Sequence, residues 1–460
     1  MGKIGVMRGV IAALFVFGSL LRLLAQEQQP VVGKVIDTIR CRGNESQTYS
    51  LYLPKGYSKS VAWPVIFFYD PAARGSVPVK LYSTLAEKYQ CILVGSNNSR
   101  NGPFSTAQES EQAMLRDIDS QYSIDKNRLY ISGFSGGARA SVFLSMQRKV
   151  YAGIIACGAA FPSMGKPTMR NNVPFIEVIG NQDMNFTEAI EAEDYLKGLS
   201  YPHALIFFQG THAWPPVEAF DQAIYWQFYR TKPPTKSLAA SYDKSVTEKA
   251  RQEIESGDLW MAHWNLSSAI SFSPTIDSLK KAISTQARFI MQQKNFSKVL
   301  QTENDLIRQF YARLDQFKFA THDSAFKEAD WKAMQLNVKK YGKSENIQEV
   351  HMSERLAQQM RIASFETYKQ QFQLKRYLQA SFAARILVLF QQDYNSYLGL
   401  ARVYAKMDRR RDAIQALSKS AELGLSDKSV LDQSDFSQLA REKKFNSVKQ
   451  QVEANAKKSP

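Results

Sequence analysis

From about residue 31 to residue 230, short apolar runs alternate with amphipathic stretches. Residues 31–39 and 49–53 read as two strands close together, as an antiparallel opening hairpin would be. Residues 65–69 form a dense apolar run that suits a strand buried on both faces. Residues 81–89 read as a helix and 91–94 as a strand. Residues 108–121 read as a helix, with Met114, Ile118 and Tyr122 at near-helical spacing. Further strands are expected at 128–132, 154–157, 175–179 and 204–208, with helices between the later ones. Strands that alternate with helices imply βαβ crossovers and a mostly parallel sheet flanked by helices, an α/β fold.

The pattern changes at Thr231-Lys232-Pro233-Pro234-Thr235, where two prolines among polar residues mark a linker. Beyond it helical periodicity dominates and Gly and Pro become scarce. A weak repeat runs through this half. One unit is Ala250, Gly257, Ala262, Leu266, Ala269 and Pro274. A second is Tyr397, Leu400, Ala401, Tyr404, Ala413, Leu417 and Ala421, with Asp408 at its turn. Tyr377, Ala380, Ala384 and Leu387 fit the second helix of another unit. Small residues where two helices touch, a turn residue between them and Pro at the exit resemble 34-residue tetratricopeptide repeats. Residues 421–445 resemble the closing helices of such an array, and residues 290–360 match poorly. The implied organisation is an N-terminal segment over 1–25, an α/β domain over 26–230, a linker over 231–236 and an all-α repeat-like domain over 237–460. Each half is expected to fold around its own core.

Composition refines this picture at three points. The 460 residues carry a net charge of +16, and residues 236–460 hold 36 Lys+Arg against 25 Asp+Glu. The charges are scattered without a long run, so they read as solvated faces of basic helices, and no nucleic-acid partner is expected. Lys3 and Arg8, an apolar run over 10–21 and Ala25 before Gln26 have the layout of a secretory signal. The run is short for a bilayer span, so an exported protein, periplasmic or secreted, without a lasting membrane span is expected. Cys41, Cys91 and Cys157 allow at most one disulfide, and no Cys/His cluster has metal-ligand spacing.

The sharpest chemical signal is Gly133-Phe134-Ser135-Gly136-Gly137, which fits G-x-S-x-G. It follows an expected strand and precedes a run of small helix-compatible residues, the strand–elbow–helix context in which that serine is nucleophilic. A serine nucleophile needs a base. Of five histidines only His203 and His212 lie in the front half. His212 follows the apolar run 204–208, at a strand's C-terminal end where sheet enzymes place their sites; His203 precedes it. The third member should lie between Ser and His in the chain, and Asp183 follows a strand and Gly180. Glu177 falls inside that strand and Asp194 on the next helix, both poorer placements.

With these residues in hand, residues 31–230 resemble the α/β-hydrolases, and among them the esterases related to dienelactone hydrolase, feruloyl esterase and polyester depolymerase. The resemblance also rests on Tyr52-Leu53-Pro54 before Gly56-Tyr57, and on Ile124-Asp125 with Arg128. It implies a carboxylic ester hydrolase without metal or organic cofactor. In it Ser135 attacks, His212 moves the proton and Asp183 orients His212. Such enzymes often carry His-Gly after the third strand for the oxyanion hole. Here Asp70-Pro71-Ala72 stands there, and Pro71 has no N–H to give. The implied donors are Gly136 N–H with Ala72 N–H, or Asp70 N–H in its place. Arg74, Asn97, Asn98, Arg100 and Trp214 fall on the same rim as candidates for binding a small-molecule or polymeric ester. A serine peptidase on the same triad and a non-catalytic scaffold are the alternatives. The helical half would bind a protein partner or cover the site.

Overall fold

A computed structural model describes residues 31–457 except 164, 169–171 and 231. The expected signal segment lies outside the described residues. Eight strands form one sheet: β1 (Val35–Cys41), β2 (Asn44–Tyr52), β3 (Trp63–Tyr69), β4 (Ile92–Ser96), β5 (Ile124–Phe134), β6 (Gly153–Cys157), β7 (Phe175–Gly180) and β8 (His203–Phe208). Their order is β1-β2-β4-β3-β5-β6-β7-β8. β2 runs antiparallel to β1 and β4, and the remaining neighbours are parallel. This is an α/β-hydrolase sheet.

The connecting helices are α1 (Ser76–Leu81), α2 (Ser83–Tyr89), α3 (Phe104–Gln121), α4 (Gly136–Gln147), α5 (Phe186–Gly198) and α6 (Val217–Tyr229). The single helix expected over 81–89 is two short ones meeting at Tyr82. Its ring stacks on Phe220 at 3.9 Å and its hydroxyl donates to the Pro215 carbonyl at 2.8 Å. Along β3, alternation of two sends Val65, Phe67 and Tyr69 to one core and Ile66 and Phe68 to the other. That is why this strand has no polar face.

A helical half follows, with α7 (Lys236–Glu255), α8 (Leu259–Ala269), α9 (Pro274–Ser284), α10 (Ala287–Gln316), α11 (Glu328–Tyr341), α12 (Ile347–Gln373), α13 (Tyr377–Phe390), α14 (Tyr394–Lys406), α15 (Arg410–Glu422) and α16 (Lys443–Ala456). Side chains cap several of these helices at the start: Thr235 accepts from Leu238 N–H, Asp258 from Met261 N–H and Asp393 from Ser396 N–H. The pairs α7–α8, α12–α13 and α14–α15 turn on Gly257, Lys375 and Asp408, each with positive φ. The first and third hairpins fall on the two units read from the sequence, and α13 on the single helix read of another. The 30-residue α10 and 27-residue α12 are too long for a 34-residue helix–turn–helix repeat, which accounts for the poor match over 290–360. Residues 428–439 form two 3₁₀ turns where closing helices were expected, and Phe445 sits on α16.

Two hydrophobic clusters are shared between the halves, while one lies wholly in the sheet half and two wholly in the helical half. Tyr242 of α7 stacks on Tyr225 of α6 at 3.9 Å, and Val246, Leu259 and Leu266 join the cluster under the sheet. Trp260 of α8 and Phe296 of α10 pack with Phe186 and Phe207. The outer edge of β8 is covered by side chains from beyond the linker. Asn265 Oδ1 accepts from Phe207 N–H at 2.9 Å, Ser268 Oγ donates to the Leu205 carbonyl at 2.5 Å, and Lys249 donates to the Phe207 carbonyl. An uncovered edge strand would offer its ladder to another chain, so α7 and α8 complete the sheet.

Candidate active site

Three loops at the carboxyl ends of β5, β7 and β8 bring Ser135, Asp183 and His212 together. Ser135 adopts φ 55° and ψ −121°, a strained conformation for a residue with a side chain. It is held there by its N–H to the Cys157 carbonyl at 2.8 Å, while the Ala138 and Arg139 N–H groups donate to its carbonyl. The turn is tight: a Cβ on Gly133 would lie 2.1 Å from the Gly137 carbonyl oxygen. Gly133 can therefore carry no side chain, and Ser135 is lifted above the sheet onto the start of α4.

Ser135 Oγ lies 2.9 Å from His212 Nε2. His212 Nδ1 lies 2.9 and 2.8 Å from the two oxygens of Asp183. With Nδ1 carrying the proton toward Asp183, Nε2 is free to accept from the serine hydroxyl. Asp183 is fully buried and accepts a further hydrogen bond from Asn185 N–H at 2.8 Å. The carboxylate is therefore fixed before it meets the imidazole. The ring of Phe134 packs on both His212 and Trp214.

The other candidates stand elsewhere. His203 begins β8, with Nε2 3.1 Å from Glu193 and Nδ1 2.6 Å from the Tyr201 carbonyl. Glu177 lies in the middle of β7, where burial, with Glu188 and Asp183 nearby, pushes its carboxyl well above the usual range. Asp194 is exposed on α5. Cys41, Cys91 and Cys157 are buried free thiols, and burial pushes Cys91 up to about 12.

Five of the proposed rim and oxyanion groups are committed to the protein's own structure. Asp70, fully buried, accepts from Ala72 N–H at 2.9 Å, from Arg74 Nε and Nη2 at 2.9 and 3.1 Å, and from Trp214 Nε1 at 2.9 Å. Burial pushes this carboxyl up, but the bonds from Arg74, Trp214 and Ala72 hold it below the usual range. Ala72 N–H is thus already spent, which corrects its expected place in the oxyanion hole, and Arg74 is held in an ion pair. Asn97 bridges Ser50 and the Asp37 carbonyl, and Asn98 bridges Thr48 and the Ser46 carbonyl. Both asparagines tie loops to the antiparallel edge and are not free for substrate. Trp214 links the loop after β8 to the loop after β3 through Asp70.

Arg100 does reach the site. With Asn101, Phe104, Ser135, Gly136 and Met184 it lines a cleft of about 400 Å³. Asn101 was missed in the sequence, although it lies one residue beyond Arg100. Its carboxamide sits against the elbow: a Cβ on Gly136 would lie 1.8 Å from Asn101 Oδ1. Asn101 N–H donates to the Pro71 carbonyl at 2.8 Å, which fixes the loop that carries it. The helical half completes the cleft, one of the two roles expected for it. Tyr311 of α10 and Gln359, Ile362, Ala363 and Glu366 of α12 line it.

No protein-family model and no curated protein matches this chain. Among solved structures it is similar to a ferulic acid esterase at 17% identity, over 42% of this chain and 95% of that one, with a TM-score of 0.34. It is similar to a substrate-bound fluorophosphonate-binding serine hydrolase of Staphylococcus aureus at 14% identity, over 43% and 99% of the two chains, with a TM-score of 0.35. It is also similar to a mutant feruloyl esterase module from Clostridium thermocellum complexed with sinapinate, at 12% identity, over 45% and 92%, with a TM-score of 0.37.

Proposed function

We propose that this protein is an exported serine hydrolase that cleaves carboxylic esters through an acyl-enzyme. One observation carries the reading: the hydrogen-bond chain from Ser135 Oγ through His212 to buried Asp183. Ser135 Oγ attacks the ester carbonyl carbon while its proton passes to His212 Nε2. The C–O bond to the alcohol then breaks, and the leaving oxygen takes that proton from Nε2. Water repeats the sequence on the acyl-enzyme, giving the acid and free Ser135. Asp183 stabilises the imidazolium without taking its proton. Gly136 N–H at the start of α4 faces the developing oxyanion, and the Asn101 carboxamide, turned to present its NH₂, is the second donor in place of Ala72.

A fluorophosphonate probe tests the reading, because it modifies only an activated serine. Wild-type protein should label at Ser135, and Ser135→Ala should not. An unlabelled wild type would leave a non-catalytic scaffold. Aryl esters set beside peptide amides separate esterase from peptidase: hydrolysis of amides alone makes it a peptidase. Export rests on the basic, apolar and small-residue order of residues 1–25. N-terminal sequencing from the native host should find a start near Gln26, and an intact Met1 in the cytosol would sink the export reading.

A further inference from the structure

We propose that α12, in the helical half, is the specificity element of the active site: one of its faces forms the wall of the pocket that receives the variable group of the ester. The proposal rests on the serine-hydrolase reading and adds what selects the substrate. Gln359, Ile362, Ala363 and Glu366 all line the cleft that holds Ser135 and Gly136. Their spacing of three, four and seven residues puts them on one helix face. The lining that α12 gives the cleft is therefore a continuous stripe of one helix face, not a chance contact.

The neighbouring positions of the same helix lock that stripe in place. Arg355 Nη1 donates to the Asn181 carbonyl at 2.8 Å, and Gln358 Oε1 accepts from Met184 N–H at 3.1 Å. These contacts fall on either side of Asp183 in the chain. The wall and the orienting acid are thus tied to one rigid element. Arg355 also pairs with Glu303 at 2.6 and 2.8 Å, both side chains about 1% exposed, which fastens α12 to α10, the helix that brings Tyr311 to the same cleft.

The cleft's chemistry bounds what it takes. Phe104, Ala107 and Met184 from the sheet half, with Ile362 and Ala363 from α12, give it apolar surface. Arg100, Gln359 and Glu366 add polar groups. At about 400 Å³ it has room for a small organic group but a definite size limit. The preferred substrate is an ester whose acyl or alcohol group is compact and of mixed character, with an apolar part against Ile362 and Ala363 and a polar part within reach of Arg100, Gln359 or Glu366. Ile362 and Ala363, half-buried and not in the hydrogen-bonded machinery, set the limit.

The test is substrate size preference in the full chain. Wild type, Ala363→Phe and Ile362→Ala are assayed on p-nitrophenyl acetate, butyrate and octanoate. A second arm uses methyl, butyl and octyl acetates, so that acyl and alcohol occupancy are told apart. Ala363→Phe should lower kcat/KM for the longer members of one arm by roughly tenfold or more relative to the shortest. Ile362→Ala should shift the same arm the other way, and both variants should still label with fluorophosphonate. If Ala363→Phe does not fold, Ile362→Ala decides alone. Labelled protein with an unchanged size preference in both arms, or with all esters lowered together, overturns the proposal and leaves the serine-hydrolase reading standing. Wild type that neither labels nor turns over any ester overturns that reading, and the proposal with it.

Discussion

Arg355 and Asn181 stand 174 residues apart in the chain and meet, the guanidinium donating to the Asn181 carbonyl at 2.8 Å. The same guanidinium is paired with Glu303, and both are excluded from water. Arg355→Met leaves Glu303 buried without a partner and should destabilise the fold by about 3–5 kcal/mol. Adding Glu303→Leu removes the orphaned charge and should recover most of that loss. Urea unfolding of both variants checks the pair. A double variant as unstable as the single one would show that the ion pair is not what the single variant lost.

The proposed triad of Ser135, His212 and Asp183 predicts an ordered loss. Ser135→Ala and His212→Ala should each lower turnover on the order of 10⁶, since either removes the activated nucleophile. Asp183→Asn should cost less, about 10⁴, because the base survives in the wrong tautomer. His203→Ala should leave turnover near wild type, because that ring is bound to Glu193 and Tyr201 instead. Steady-state rates on one aryl ester settle the ranking, and a fully active His212→Ala would refute the assignment.

Asn101→Ala removes the proposed second oxyanion donor. A lost donor of this kind costs about 10²–10³ in kcat, with KM little changed, since the bond strengthens only as charge develops. Unchanged kcat would exclude Asn101 from the oxyanion hole.

A chain ending at Lys236 should be insoluble or fail to unfold cooperatively. The cut strips Asn265, Ser268 and Lys249 from the edge of β8. It also uncovers Phe207 and Tyr225, each worth about 1.5–3 kcal/mol when buried. A soluble monomer with a sharp melting transition would contradict the shared core.

Acid should weaken the packing of α12 through His351. Burial first, and then the nearby Arg355 charge, lower its pKa from 6.5 to about 4. The unfolded chain therefore binds a proton on this residue between those values while the folded one does not. The contribution is fully present above pH 6.5 and is lost as pH falls toward 4, up to about 3 kcal/mol. Asp258, raised by burial to about 6, acts in the opposite sense, its contribution being lost as pH rises. The measurement is thus the difference between His351→Gln and wild type. The variant should gain on wild type as pH drops from 6.5 to 4, and parallel melting temperatures across that range would reject the idea.

What the sequence determined by itself is whatever local spacing encodes. The strands of the sheet, the hairpins turning at Gly257 and Asp408, and the order Ser135, Asp183, His212 are all legible, because each depends on a few neighbouring residues. An apolar run reports burial, a glycine reports a tight turn, and a polar residue just past a strand reports the rim of the sheet. The tertiary structure decided how such rim residues are used. Arg74 and Ala72 look available in the sequence, yet Asp70 takes both once the loop after β3 closes against Trp214. Apolar periodicity marks the inward faces of α7, α8 and α12 but does not name what they meet. The partner is chosen by packing across many tens of residues, and only there do the helices close the sheet edge and wall the site.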